Sequence, residues 1–217
     1  MNKLSDAKVY VVSMAGNTER RAKIKTQLSL IGLSPEFIDA VVGAELPSSE
    51  YFNLAVARRK RVLSPNELGC SLSHQLIYTD IIKKNIQYAI ILEDDVSLDV
   101  SNWSKFKNIT LKEDELYFLG GQEGMRRGRL LSAIRNYQFG KYSPLFISFF
   151  YRTCCYVVSK STAIKMSELA KQKMYLADDW PHINKICNFS KLVFVPVFSH
   201  PIDNSDSLIE QERLSLK

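Results

Sequence analysis

Glu93, Asp94 and Asp95 are consecutive carboxylates, and they follow directly on the apolar run Tyr88–Leu92 (YAIIL). Like charges this close repel unless protons or a cation neutralise them. Side chains alternate along an extended chain, so Glu93 and Asp95 share one face and Asp94 turns to the other. Clustered oxygen ligands suit a hard divalent ion, Mg²⁺ or Mn²⁺, above all beside a phosphate-bearing substrate. The plainer reading is a solvated acidic turn. The buried run just before the cluster favours the metal.

Other groups able to do chemistry are scattered along the chain. Arg20 and Arg21 fall in the first turn of a helix expected after the first strand, within reach of a pyrophosphate or as solvated surface. His74 shares a helix face with Cys70 and Ile77, as a core histidine or as a ligand-site residue. His200 follows an apolar run, Leu192–Val197. Two basic groups stand out, Arg58-Arg59-Lys60-Arg61 and Arg126, Arg127, Arg129 with Arg135. Each is either a solvated face or a contact for an anionic surface. Tyr137, Phe139 and Tyr142 beside the second group are able to stack on sugar rings. No nucleic-acid-binding module accompanies this basic-aromatic mixture, so no nucleic-acid partner is expected.

The elements that must hold these groups are legible in outline. Lys8–Met14 (KVYVVSM) reads as a buried strand. Asn17 is placed to cap a helix with Ile24, Leu28 and Ile31 on one face, and Gly32 to end it. Phe37–Val42 reads as a second strand, which makes a right-handed βαβ unit and a parallel sheet. Ser64-Pro65-Asn66-Glu67 is a capping box with proline at the first helical position. Leu68, Leu72 and Leu76 form an expected apolar stripe, and Lys83-Lys84-Asn85 a stop. Further strands are expected at Tyr88–Leu92, Leu116–Leu119, Cys155–Val158 and Leu192–Val197, with a helix over Ser161–Gln172. An open α/β sheet binds ligands beyond the carboxyl ends of its strands, which puts Ser13, Asp95 and Gly120 on one rim.

The chain has 217 residues, 46% hydrophobic and 24% charged. That suits one α/β domain over residues 1–217 with a mostly parallel central sheet. The net charge of +6 favours an anionic partner without choosing one. Cys70, Cys154, Cys155 and Cys187 include no CxxC pair and read as free thiols in a reducing compartment. With no leader-like or membrane-spanning run in view, the expected location is the cytoplasm.

Several strings resemble glycosyltransferase family 25, the lipopolysaccharide and lipooligosaccharide galactosyltransferases. They are Glu67–His74 (ELGCSLSH), Ala89–Leu98 (AIILEDDVSL), Glu19-Arg20-Arg21, Phe37–Val41 (FIDAV), Thr153–Lys160 (TCCYVVSK) and Leu176–Asp179 (LADD). The match spans roughly residues 8 to 210, and Ser13-Met14-Ala15 departs from that family's usual Asn-Leu-Asp. The resemblance implies a GT-A-type fold and transfer of a hexose with inversion, commonly galactose from UDP-galactose. The acceptor would be an oligosaccharide or glycolipid, with peripheral contact at the inner face of a bacterial membrane. It implies donor-binding roles for Ser13, Arg20, Arg21, Asp39, His74, Glu93 and Asp94. Asp95 and Glu93 would hold Mn²⁺ or Mg²⁺, joined by analogy with the fold type by His200. Asp179, with Asp178 as the alternative, would be the base that takes the acceptor proton, unless the pair merely opens a helix. The competing functions are a metal-dependent phosphoesterase or nuclease and a non-catalytic nucleotide- or glycan-binding protein.

Overall fold

The computed structural model describes residues 2–57, 61–122, 138–201 and Glu212. Eight strands form one sheet: β1 (Lys8–Ser13), β2 (Pro35–Asp39), β3 (Tyr88–Glu93), β4 (Ser97–Leu98), β5 (Glu115–Gly120), β6 (Gly140–Tyr142), β7 (Cys155–Ser159) and β8 (Lys191–Ser199). The order is β2-β1-β3-β7-β5-β8-β4, with β6 also paired to β8. The main helices are α1 (Thr18–Ser29), α2 (Ser48–Tyr51), α3 (Pro65–Lys83), α4 (Val100–Phe106), α5 (Lys160–Gln172) and α6 (Trp180–Cys187).

The expected βαβ unit is present, with β1 parallel to both β2 and β3. The sheet as a whole is mixed rather than mostly parallel. β7 lies antiparallel between β3 and β5, and β4 and β6 run antiparallel to β8. Because β7 reverses direction between its neighbours, β5 and β8 still point the same way as β1 and β3. Ser13, Asp39, Glu93 and Gly120 therefore end their strands on one rim. β7 starts from that rim, so Thr153 and Cys154 are delivered to it from the opposite direction.

Strand alternation divides the core into two layers. Tyr10, Ile91, Phe118, Tyr156 and Phe194 face the layer shared with α3, α5 and α6. Val11, Ile90, Tyr117, Val157 and Val195 face the layer shared with α1 and α4. Such inward-facing residues on both sides leave the strands apolar along their length, which is why each reads as a continuous hydrophobic run.

Local signals fare unevenly. Ser64 caps α3 with both halves of the capping box formed, and Asn85 ends it in the left-handed region at φ 57°. The expected Leu68–Leu72–Leu76 stripe is corrected. Leu68 is buried, Leu76 is exposed, and Ile77, Tyr78 and Ile81 complete the inner face. Asn17 precedes α1 without a side-chain capping bond, and β2 begins at Pro35 and ends at Asp39, earlier than expected at both ends. All four cysteines are free. Arg58, Arg59, Lys60, Arg126, Arg127, Arg129, Arg135 and Tyr137 lie outside the described residues. No helix among the described residues is long and apolar enough to cross a membrane.

Candidate active site

The rim opens into a cleft of about 320 Å³ lined by Ser13, Arg20, Cys70, His74, Glu93, Asp94 and Asp95, among others. Its helical wall is the start of α3, pressed against the segment after β2. A Cβ on Gly69 would overlap the Val41 carbonyl oxygen and Gly43 nitrogen, and one on Gly43 would overlap the Pro65 carbonyl. Ser73 Oγ accepts from Val41 N at 2.8 Å and ties the same two segments. In the string ELGCSLSH, Glu67 caps, Gly69 permits contact, Ser73 fastens, and Cys70 and His74 face the cleft.

The acidic tripeptide divides as the alternation requires. Asp94 turns towards β1 and α1, where it accepts from Ser13 Oγ at 2.6 Å and pairs with Arg20 Nη1 at 3.4 Å. Arg21 is fixed elsewhere: its Nη2 donates to Ser13 O at 2.8 Å and to Asp39 Oδ1 at 2.5 Å. That bond makes Arg21 and Asp39 a brace for the β1–β2 rim. Neither lines the cleft, whereas Arg20 does.

Glu93 and Asp95 face the other way. Thr153 Oγ1 donates to Glu93 Oε1 at 3.0 Å. Burial, followed by repulsion from Asp95, pushes the Glu93 carboxyl up to about 7. Asp95 Oδ2 lies 3.3 Å from His200 Nε2, while Asp95 Oδ1 is buried without a hydrogen-bond partner. Burial alone would raise Asp95. The hydrogen bond and charge of His200, with Arg20, outweigh it and hold the carboxyl below its ordinary range. Burial opposes a charge on His200 too, and Asp95 overcomes it, so that imidazole is raised. His200 Nδ1 lies 2.8 Å from the Pro201 carbonyl oxygen; donating there leaves Nε2 towards the carboxylates.

Ligand atoms of Glu93, Asp95 and His200 lie within 4.8 Å of one another. Two carboxylates and an imidazole suit Mn²⁺ or Mg²⁺, and the partnerless Asp95 Oδ1 is the kind of buried lone pair a cation satisfies. The residues fit the ion.

The carboxylates before α6 take separate tasks. Asp179 is the helix cap: its Oδ1 accepts from His182 N at 3.2 Å. Asp178 points back to the rim, accepts from Arg152 N at 3.3 Å, and adds its charge to the upward push on Glu93. Arg152 holds a left-handed backbone at φ 64°, fixed by that bond, by Trp180 Nε1 on its carbonyl at 3.1 Å, and by its own Nη1 on Gly121 O at 3.2 Å. A non-glycine residue held this way beside a site is backbone strain retained by its surroundings.

Sequence reasoning missed Arg152 and Thr153 as site residues; their only signal was that Thr153 opens the TCCYVVSK string and Arg152 immediately precedes it. It also missed the partner of His74. His74 is 1% exposed, its Nδ1 meets Tyr156 Oη at 2.8 Å, and Tyr156 Oη meets Tyr78 Oη at 2.7 Å. Burial pushes the His74 imidazole down to about 4, so the ring is neutral. Nothing in the spacing of α3 announces a tyrosine arriving from β7.

The family model for glycosyltransferase family 25 (LPS biosynthesis protein) matches residues 6–180. The chain belongs to glycosyltransferase family 25. A glycosyltransferase 25 family member of Anopheles gambiae is 30% identical over 106 residues, 45% of this chain and 18% of that protein. Procollagen galactosyltransferase 1-B of Xenopus laevis is 26% identical over 107 residues, 46% of this chain and 18% of its own length. The chain thus spans about a fifth of the length of these curated relatives. Rat, mouse, bovine and human members matched to a similar degree are named inactive or probably inactive. A solved glycosyltransferase involved in glycosylation of the major capsid of PBCV-1 superposes with a TM-score of 0.52 at 9% identity, covering 96% of this chain and 98% of that one. This glycosyltransferase-family chain therefore has a GT-A-type α/β fold.

Proposed function

We propose that this chain is an active, metal-dependent, inverting hexosyltransferase that moves galactose from UDP-galactose to a glycan hydroxyl. The supporting observation is that Glu93 and Asp95 line the cleft and bring their ligand atoms within 4.8 Å of His200, with Asp95 Oδ1 buried and partnerless among the described residues. Glu93, Asp95 and His200 would hold Mn²⁺ or Mg²⁺, and the ion, when bound, would supply positive charge to offset the negative charge of the departing diphosphate. Arg20 adds a second positive charge from the opposite wall of the cleft. Asp94 is locked by Ser13 and Arg20 and presents fixed oxygens towards the donor. The acceptor oxygen attacks the anomeric carbon, the bond from that carbon to the diphosphate breaks with its electron pair leaving on UDP, and the acceptor proton passes to Asp178. Asp178 takes this role because Asp179 is committed to the α6 cap.

The acceptor is a glycan on lipid at the inner face of a bacterial membrane. The protein works in the cytoplasm and meets that surface peripherally through Arg126, Arg127 and Arg129. The net charge of +6 motivates this part.

A panel of UDP-sugars, incubated with Mn²⁺ and with chelator, tests the reading. UDP release from UDP-galactose that stops in chelator is expected. Metal-independent release, or preferential cleavage of phosphate esters or nucleic acid, would overturn it. Co-sedimentation with anionic vesicles at low salt, lost when the three arginines become glutamine, is the separate expectation for the membrane contact.

A further inference from the structure

A second group of ligating atoms lies deeper in the same cleft. Cys70 and His74 stand four residues apart on α3, so they share one face of the helix, and that face meets the end of β3. The Cys70 sulfur, a His74 ring nitrogen and a Glu93 carboxylate oxygen lie within 4.8 Å of one another. A tetrahedral zinc centre with sulfur and nitrogen ligands needs these atoms roughly 3.5 Å apart, so the tightening required is at most about 1.3 Å.

His74 supplies the independent observation. Its Nδ1 is engaged by the Tyr156 hydroxyl, and Tyr156 by Tyr78, yet its Nε2 is buried without a hydrogen-bond partner among the described residues. A buried polar atom left in that condition is destabilising unless a ligand satisfies it. A neutral ring whose Nδ1–H donates to a neighbour presents the Nε2 lone pair outwards, as metal-bound histidines do. Here the neighbour is a buried phenol, which holds the ring in place; in the tautomer whose Nδ1–H donates to it, the Nε2 lone pair is left for a cation.

We propose that Cys70, His74 and Glu93 form a second cation site, for a thiophilic divalent ion of the Zn²⁺ class, in the floor of the cleft. The ligand chemistry separates it from the outer set. Glu93, Asp95 and His200 offer mainly hard oxygen, whereas the inner set adds a thiol and suits zinc over magnesium or manganese. As the sulfur–zinc bond forms, the thiol proton leaves to solvent. The three side chains leave a fourth position open towards the cleft. Glu93 belongs to both sets, so an ion in the floor draws on a carboxylate the outer set also uses. Zinc therefore antagonises the activity proposed above; that consequence rests on the proposed function, while the binding does not.

The test uses the full chain without an affinity tag, stripped with chelator and titrated with Co²⁺ as a spectroscopic stand-in for zinc. Expected is a near-ultraviolet thiolate-to-cobalt charge-transfer band that added Zn²⁺ abolishes. The band should vanish in Cys70→Ser, and His74→Gln should weaken zinc binding at least tenfold in chelator competition. Asp95→Asn and His200→Ala should keep the band, since they belong to the outer set. No band in the wild type, or a band that survives Cys70→Ser, overturns the site. Should Cys70→Ser fail to fold, the wild type is alkylated with and without Zn²⁺ and its cysteine peptides are weighed. Selective protection of Cys70 supports the site, and equal labelling of Cys70 in both overturns it.

Discussion

The two walls of the cleft treat their carboxylates differently. On the β1–α1 side each acid meets a base or a hydroxyl: Asp94 has Ser13 and Arg20, and Asp39 has Arg21 at 2.5 Å. On the side built by β3, β7 and β8, among the described residues, Glu93 has only the Thr153 hydroxyl and Asp95 only His200, while Asp178 adds a third negative charge; burial, then repulsion from Asp95, holds the Glu93 carboxyl up to about 7. Paired charges lock backbone segments together and leave little for a ligand. Surplus negative charge in a buried place is costly unless a cation joins it. The first wall therefore presents charges already fixed in place, and the second presents carboxylates that a cation would complete.

That contrast makes graded predictions. Asp95→Asn should have the largest effect, abolishing metal-dependent turnover and Mn²⁺ binding seen by calorimetry; a mutant that binds Mn²⁺ like the wild type would refute the ligand assignment. Asp178→Asn should lower kcat by roughly 10²- to 10⁴-fold while leaving UDP affinity intact. Asp179→Asn should leave kcat unchanged, and the opposite pattern would exchange the roles of the two. On the paired wall, Ser13→Ala removes a hydrogen bond to a charged group. It should cost about 1.5–3 kcal/mol of stability in denaturant melts, with a smaller loss of turnover than Asp178→Asn.

His74 gives a pH signature. Its folded pKa, about 4, lies below the ordinary value of 6.5. The stabilising contribution is thus whole above the ordinary value and lost as pH falls towards the folded one. In metal-free protein this His74 contribution amounts to about 2 kcal/mol between about pH 7 and about pH 5. Glu93, raised to about 7, contributes the opposite slope over the same window, so the measurement is the difference between the wild-type and His74→Gln stability profiles, which should grow by that amount as pH rises. The smallest effect is expected from Asp179→Ala, about 1 kcal/mol from the lost cap, with Asp179→Asn close to neutral because asparagine caps equally well.

What the sequence disclosed follows from the range of each interaction. The capping box at Ser64–Glu67, the parallel β1–β2 pair and the two-faced tripeptide all depend on neighbours within a few residues or on one βαβ unit, and all were legible. The antiparallel entry of β7 between β3 and β5 was not, because it joins segments more than 60 residues apart and no local pattern encodes strand direction. Thr153 on Glu93 and Tyr156 on His74 depend on that entry and were hidden with it. Asp178 and Asp179 were visible as a pair but not separable, since which one caps depends on where α6 begins. Leu76 misled because a leucine every fourth residue drifts around a helix of 3.6 residues per turn.

The contact between Gly43 and Gly69 also governs how a ligand fits the cleft. Where main chain rests on main chain, there are no side chains to swing aside and no gap to compress. The α3 wall of the cleft is therefore a fixed jamb. A ligand seated against that wall must fit it as it stands, because the helix cannot recede to make room.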